Sequence, residues 1–125
     1  MLMASIKRKF RFEDLEIWQS AIEVGDHLCN ISDTLENKKL FRFAEQLRGC
    51  GMSISNNIAE GAGSFSDKEF ILFLNYARRS CFESANILII LLRRNLIDEM
   101  VKNQLFEELE VLSRKITNFQ KTLRG

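Results

Sequence analysis

Apolar residues return every three or four positions along most of the chain, which is the period of one face of an α-helix. The pattern predicts four helices, at about residues 14–35, 39–60, 67–94 and 99–123. The inward row of the first helix is Ile17, Ala21, Val24, Leu28, Ile31 and Leu35. Proline is absent and no stretch alternates as a strand would, so the fold class is predicted to be all-α.

Two of the four predicted helices carry more apolar surface than one core covers. In helix 1 a second row of Leu15, Trp18, Ile22 and Cys29 widens the apolar arc to roughly 200°, about double the usual stripe. Helix 3 is apolar all round near both ends, whereas helix 4 has one narrow apolar row. Helices of this length with short connections predict an antiparallel up-down-up-down four-helix bundle. Its excess apolar surface predicts a homo-oligomer, in which a second copy covers that surface.

Two glycines, Gly49 and Gly51, lie inside the second predicted helix. Each costs about 1 kcal/mol relative to alanine in a helix, so we expect them to allow close approach by a neighbouring element. The alternative is a local break of the helix near Cys50.

Residues 53–70, SISNNIAEGAGSFSDKEF, concentrate small and polar side chains between the second and third helices. Ser66 and Glu69 have the spacing of a capping box, which starts a helix. Phe65 and Phe70 are placed to form the hydrophobic staple of that start, and Gly61 suits the left-handed position that ends a helix. The segment is therefore predicted to be a corner rather than an active-site loop.

A polar row runs beside the apolar row of helix 2 and is predicted to face protein. Its members are Gln46, Cys50, Ser53, Asn57 and Glu60. An anion at a helix C-terminus opposes the helix dipole, so a buried Glu60 needs a partner. Candidate partners are the free amides that begin helix 3, or Arg78, Arg79 and Ser80. A solvated Glu60 is the alternative.

The sequence contains few of the residues that a catalytic or metal site requires. His27 is the only histidine, lies on the polar arc of helix 1 and is expected to be solvated. No Glu-x-x-His pair, zinc-ligand spacing, Gly-x-Ser-x-Gly turn or Gly-Lys-Ser/Thr loop occurs. We therefore expect no catalytic residue, metal or cofactor, and no small-molecule substrate.

The cysteines and the longest apolar run indicate the compartment. Cys29, Cys50 and Cys81 are scattered on apolar helix positions, which is typical of free, buried thiols in a reducing environment. Residues 87–92 form the longest apolar run, far below the roughly 18 residues of a membrane span. The basic N-terminal sequence has no apolar signal segment. A cytoplasmic protein with no membrane partner is expected.

Three segments together resemble a known family. They are FEDLEIWQSA at residues 12–21, QLRGCGMSISNNIAEGAG at residues 46–63 and SDKEFILFLNYARRSCFES at residues 66–84. In order and in content they resemble the bacterial four-helix-bundle proteins of large-subunit rRNA intervening sequences. The matching positions are Trp18, Gln46, Arg48, Ser53, Asn57, Glu60, Gly61, Phe73, Ala77, Ser80 and Glu83.

The resemblance implies an antiparallel four-helix bundle, commonly a homopentamer, with no known catalytic activity. Related accessory variability determinants of retroelements form basic pentamers that bind nucleic acid and the reverse transcriptase. This chain departs from the family pattern at Gly49, Arg79 and Ala85, and lacks the usual proline between helices 1 and 2. These departures weaken the transfer of any surface function.

Positive charge is concentrated at the N-terminus, although the net charge is only +1. Lys7, Arg8, Lys9 and Arg11 place four cations in residues 1–12, and the remaining 14 basic and 17 acidic residues leave residues 13–125 at −3. The chain therefore divides into a basic tail, residues 1–12, and a single four-helix-bundle domain, residues 13–125. A basic tail of this kind is commonly a solvated segment.

Further basic residues lie at the turns between helices 1 and 2 and between helices 3 and 4. They are Lys38, Lys39, Arg42, Arg93 and Arg94. In an antiparallel bundle these turns lie at the end opposite to the N-terminus, so the two basic clusters are not expected to join. Two functions are predicted: an oligomeric interaction scaffold, and an RNA- or DNA-binding accessory protein that displays these cations from an oligomer.

Overall fold

Four α-helices follow one short 3₁₀ turn in the structure, a computed structural model that describes residues 9–125. The 3₁₀ turn is Arg11–Asp14, and the helices are α1 Glu16–Asn37, α2 Phe41–Ala62, α3 Asp67–Arg93 and α4 Glu99–Arg124. No strand occurs within the described residues, so the predicted all-α class is confirmed. The first helix begins later than expected because Leu15 is extended, with φ −79° and ψ 125°.

Side-chain caps begin two of the helices. Ser66 Oγ accepts a hydrogen bond from the Glu69 amide at 3.1 Å, and Asp98 Oδ1 accepts one from the Val101 amide at 2.8 Å. Each oxygen satisfies an amide that has no partner within its own helix. The predicted helix start at Ser66 is therefore confirmed, but within the described residues the Glu69 side chain forms no hydrogen bond with the Ser66 amide, so only half of the predicted capping box is formed.

The turns after α1 and after α3 have the same geometry. Lys39 and Asn95 adopt left-handed backbone conformations, with φ of 64° and 59°. The amide that follows each of them reaches back over five residues, Leu40 to the Leu35 carbonyl and Leu96 to the Leu91 carbonyl, both at 2.9 Å. This is the pattern of a Schellman motif, which satisfies orphan carbonyls and stops the helix sharply.

The helices surround one apolar core, and each packs against two others. The packed pairs are α1 with α2, α2 with α3, α3 with α4 and α1 with α4, and no packing joins the diagonal pairs in residues 9–125. Most of the predicted inward row of α1 is buried, but Ile31 is only partly covered. Ser32 is buried instead, since its hydroxyl donates to the Leu28 carbonyl at 2.9 Å.

The seam between α1 and α4 carries the sole histidine. His27 Nδ1 lies 2.8 Å from Glu108 Oε1, and Lys115 Nζ lies 3.1 Å from Glu16 Oε2. The His27 side chain is 39% exposed, so the expected contact with solvent is present, but the carboxylate partner that α4 supplies was not predicted.

The two glycines inside α2 differ in their surroundings. A methyl group at Gly51 would lie 3.2 Å from Leu28 Cβ, whereas one at Gly49 would meet nothing within 4 Å. The close approach predicted for Gly51 is confirmed, and the same prediction for Gly49 is wrong. The alternative of a break near Cys50 is excluded because α2 is continuous.

The corner between α2 and α3 differs from its prediction in two respects. Gly61 lies inside α2, and among the glycines of the described chain only Gly125 has a positive φ, so Gly61 is not a left-handed stop. A methyl group at Gly61 would lie 2.8 Å from both Phe70 Cδ1 and Phe73 Cβ. Phe65 is fully exposed while Phe70 is buried, so the predicted staple between them does not form.

All three free cysteines were predicted to be buried, which is confirmed for Cys50 and Cys81 and wrong for Cys29. Cys50 and Cys81 lie in the core, and Cys29 is half-buried. Burial raises the pKa of the Cys81 thiol to about 12. None of the helices described here combines the length and hydropathy that crossing a membrane requires.

Replacement of Gly61 by alanine is expected to destabilise the bundle. The added methyl group would press on the Phe70 ring and on the Phe73 Cβ, close to the α3 backbone, and overpacking of this kind costs about 1–3 kcal/mol. The matched control is Gly49→Ala, which adds the same group to α2 in open space and should stabilise the protein by up to about 1 kcal/mol. Urea unfolding of both variants measures the difference, and an equal effect of the two would contradict the packing role of Gly61.

Candidate functional site

The family-like polar residues of α2 meet α3 along one seam. Ser80 Oγ donates to Ser53 Oγ at 2.9 Å, and Asn57 Nδ2 donates to the Ser53 hydroxyl at 2.9 Å and to its carbonyl at 2.8 Å. The predicted polar row therefore faces protein at its centre. Its partner on α3 is Ser80, another of the positions that match the family pattern.

A second contact between α2 and α3, that of Cys50 with Ser84, lies deeper in the core. Ser84 Oγ lies 3.1 Å from Cys50 Sγ and 2.9 Å from the Ser80 carbonyl. Burial raises the pKa of the Cys50 thiol, and the hydrogen bond from Ser84 opposes that rise. Every buried side-chain nitrogen and oxygen in the described residues has a hydrogen-bond partner. The hydroxyls are thus engaged in holding α2 to α3.

The ends of the polar row are exposed. Gln46 and Glu60 lie at the surface, and no hydrogen bond among the described residues joins Glu60 to Arg78, Arg79, Ser80 or the first amides of α3. The predicted pairing of Glu60 is wrong because α2 continues to Ala62, which carries Glu60 along the outer side of the corner. Glu83 is also exposed and lines a shallow recess of about 370 Å³ with Glu45, Gln46, Gly49, Cys50 and Ser53.

Two other family positions stabilise the α1 side of the bundle. Arg48 Nη2 lies 2.9 Å from both Asp33 Oδ1 and Glu36 Oε1, and these hydrogen bonds raise the pKa of the Arg48 guanidinium above its ordinary value. Trp18 packs on Phe12, with ring centroids 5.0 Å apart. Arg48 joins α2 to α1, and Trp18 holds the 3₁₀ turn against the start of α1.

The N-terminal basic cluster is described only in part. Lys7 and Arg8 lie outside the described residues. Lys9 Nζ forms a salt bridge with Asp14 at 2.9 Å, and the Arg11 guanidinium lies 5.5 Å from the centre of the Phe70 ring. The contact with Phe70 places Arg11 at the end of the bundle where α3 begins.

The second basic cluster lies at the other end. Lys38 and Lys39 follow α1, and Arg93 and Arg94 lie at the end of α3. The contacts of Ser53 with Ser80 and of Cys50 with Ser84 place the start of α2 level with the end of α3. Arg42, in the first turn of α2, therefore lies at the same end of the bundle. All five are exposed, and none forms a salt bridge with another described residue. The described members of the N-terminal cluster, Lys9 and Arg11, lie at the opposite end of the bundle from this second cluster, as expected for these two residues.

A groove between α3 and α4 was missed from the sequence. Its volume is about 540 Å³ and its apolar lining is Cys81, Phe82, Ala85, Phe106 and Leu109. Polar side chains complete the lining: Arg78, Glu110, Ser113, Arg114, Thr117, Asn118 and Lys121. The one feature of the sequence that could have indicated the groove is Phe106, an aromatic residue outside the narrow apolar row of helix 4.

Cations border the aromatic side chains of this groove. The Arg78 guanidinium lies 5.4 Å from the centre of the Phe82 ring, and Arg114 forms a salt bridge with Glu110 at 3.0 Å. No cluster of three or more His, Cys, Asp or Glu side chains suited to a metal ion occurs in residues 9–125. The groove is suited to an apolar ligand or partner with acidic groups at its edges.

Comparison with solved structures identifies the fold. A protein of unknown function from the S23 ribosomal protein family of Bacteroides thetaiotaomicron VPI-5482 superposes with a TM-score of 0.80 at 23% sequence identity. The similarity covers 84% of this chain and 98% of that one. At this identity the likeness establishes the four-helix fold alone. The chain has no match among curated proteins.

Comparison with family models agrees with the three segments that carry the resemblance. The family described as 23S rRNA-intervening sequence protein matches residues 13–118, which include α1, α2, α3 and most of α4. The residues of the α2–α3 seam and the Arg48 contacts all lie within the matched range. The chain therefore belongs to the 23S rRNA-intervening sequence protein family.

Proposed function

We propose that the protein is a non-enzymatic, homo-oligomeric scaffold built from an antiparallel four-helix bundle. The observation that carries the proposal is the apolar surface of α3 that the bundle leaves uncovered. Its exposed members are Leu72, Tyr76, Phe82, Ile89 and Ile90. Large exposed apolar side chains on one element are typical of a protein–protein interface. A homopentamer is the form that the family resemblance favours.

The cross-helix contacts support the antiparallel arrangement. Glu16 and His27 of α1 contact Lys115 and Glu108 of α4, in reversed order. The Gln120 side chain at the end of α4 donates to the Ile71 carbonyl near the start of α3 at 3.0 Å. Short turns between successive helices agree with the same topology.

The engagement of potential catalytic groups favours a scaffold over an enzyme. Ser53, Ser80 and Ser84 are hydrogen-bonded within the α2–α3 seam, and the only histidine contacts Glu108 on another seam. Nucleophilic catalysis by serine requires a base within hydrogen-bond reach of the hydroxyl. The contacts of these side chains stabilise helix packing.

The scaffold proposal predicts a mass that is a multiple of the 14.5 kDa chain, five-fold for a pentamer. Burial of the α3 side chains between copies supplies the stabilisation, at about 25 cal/mol per Å² of apolar surface. Light scattering after size exclusion, at two protein concentrations, measures the mass. A mass of 14.5 kDa at both concentrations would exclude the scaffold.

A second candidate function is RNA or DNA binding by the cations at the end of the bundle where α3 ends. The five exposed side chains there, Lys38, Lys39, Arg42, Arg93 and Arg94, are free of salt bridges within the described chain. Lysine and arginine side chains of this kind bind the phosphates of nucleic acid and release the counterions condensed on it. An oligomer that presents several copies of this end strengthens binding through multivalency.

The nucleic-acid candidate is tested by Arg93→Ala combined with Arg94→Ala. We expect weaker binding to a mixed RNA and DNA panel, and a decrease of about 2 in the slope of log K against log salt, since each lost phosphate contact removes about 0.9. Fluorescence anisotropy at low and moderate salt gives both quantities.

The matched control for this pair is Arg79→Ala combined with Lys68→Ala, which removes the same charge from exposed positions of α3 away from its end and breaks no salt bridge of the described chain. Replacement of Lys7, Arg8 and Lys9 by alanine measures the share of the N-terminal cluster and keeps Phe12, which packs on Trp18. Equal losses from the two double variants, or no binding by the intact protein at low salt, would contradict a nucleic-acid site at this end.

A further inference from the structure

The groove between α3 and α4 combines an apolar floor with positive charge. Phe82 is 61% exposed, so the groove presents a large ring that the chain itself does not cover. Its charged lining consists of Arg78, Arg114 and Lys121 against one carboxylate, Glu110, a formal charge of +2. Arg78 and Lys121 form no salt bridge with other described residues.

The face formed by α1 and α2 has the opposite charge and its own apolar side chains. Ile22 is 38% exposed and Met52 is 50% exposed. Cys29 is half-buried close to Arg48, whose charge opposes the rise in the pKa of the Cys29 thiol that burial causes.

Gly25 lies between Ile22 and Cys29 on this face and leaves a depression. A methyl group placed there would meet only the Gly51 carbonyl oxygen, at 3.5 Å. With no side chain of its own, the position lets a large partner side chain approach the α1 backbone between the two apolar residues.

The charged groups of the α1–α2 face are mostly acidic. Asp33 and Glu36 share Arg48, and Asp26 is exposed and forms no salt bridge with another described residue. Three carboxylates against one guanidinium give these four groups a formal charge of −2, opposite in sign to that of the α3–α4 groove.

The two surfaces lie on opposite sides of the bundle. Since α1 packs on α2 and α4, and α3 packs on α2 and α4, with no diagonal packing in residues 9–125, the α1–α2 face and the α3–α4 groove point in opposite directions. One chain therefore cannot bring its own two surfaces together, whereas two chains can.

We propose that the α1–α2 face of one copy docks into the α3–α4 groove of a second copy, with Ile22 and Met52 against Phe82 and Phe106. The inference rests on the proposed oligomeric scaffold and names its interface. Ile22 and Cys29, like Arg78 and Ala85, are seven positions apart, so both surfaces extend about 10 Å along their helices. Asp26 and Asp33 then meet Arg78 and Arg114 at the edge of the apolar contact.

Charge selects this pairing over the symmetric alternatives. Two α3–α4 grooves facing each other would each carry +2, and two α1–α2 faces would each carry −2, and juxtaposed like charges disfavour both. The interface is therefore heterologous, with different surfaces on its two sides. Repetition of a heterologous step builds a ring when the rotation between copies closes.

The test uses one substitution on each surface. Phe82→Glu places an anion in the groove where the acidic face docks, and Ile22→Lys places a cation on the face that meets the basic groove. Each variant alone is expected to lose the oligomer and elute at or near 14.5 kDa. An equimolar mixture is expected to associate again, because the intact face of one variant meets the intact groove of the other.

Three controls accompany the mixture. Met100→Glu alters a side chain that is 78% exposed on α4 and lines neither surface, and it should keep the wild-type mass. Circular dichroism checks that each variant is folded. The reaction of Cys29 with an aromatic disulfide reagent gives a second readout: it should be several-fold faster in Phe82→Glu than in the wild type, because loss of the oligomer uncovers the α1–α2 face.

The charge-reversal pair Arg78→Glu and Asp26→Lys repeats the test without altering an apolar side chain. An oligomeric wild type whose mass neither variant changes, or a mixture that stays as small as its components, would overturn the interface and leave the scaffold standing. Loss of the oligomer in only one of the two variants would also overturn it. A monomeric wild type would overturn both.

Discussion

The close approach of α2 to both of its sequence neighbours is the constraint on which the rest of the bundle depends. Gly51 leaves room for Leu28 of α1, and Gly61 leaves room for Phe70 and Phe73 of α3. With α2 held at short distance on both sides, hydroxyl groups as short as those of Ser53 and Ser80 can reach each other across the seam. The α1–α4 seam lacks such glycine contacts and is joined instead by longer side chains, His27 with Glu108 and Lys115 with Glu16.

The sequence predicted the helices and their inward faces, because a period of three to four residues is a local property of the chain. The inner rows of α1 and α4 and the Ser66 cap follow directly from that period and from cap chemistry. The family resemblance rested on three segments that occur in the order of the family pattern, and it was confirmed. The helical period also located the excess apolar surface of helix 3.

Contacts between helices were harder to predict, since they depend on how far each helix is rotated and shifted relative to its neighbour. Gly61 has the residue type of a helix stop, but its position against two phenylalanines makes it a packing residue. Glu60 follows the same helix outward and stays at the surface. The α3–α4 groove is lined by Phe82 of α3 and Phe106 of α4, and the pattern within one helix cannot predict which residues of the other helix lie beside it.

The charges of the two outer surfaces have a consequence for the encounter between copies. The −2 of Asp26, Asp33, Glu36 and Arg48 on the α1–α2 face and the +2 of the α3–α4 groove form an electric dipole across the width of the bundle, although the whole chain carries only +1. Two such dipoles attract in the head-to-tail orientation before any atoms touch, within a Debye length of about 8 Å at physiological salt. In the proposed interface, this attraction orients the two copies while water still separates them.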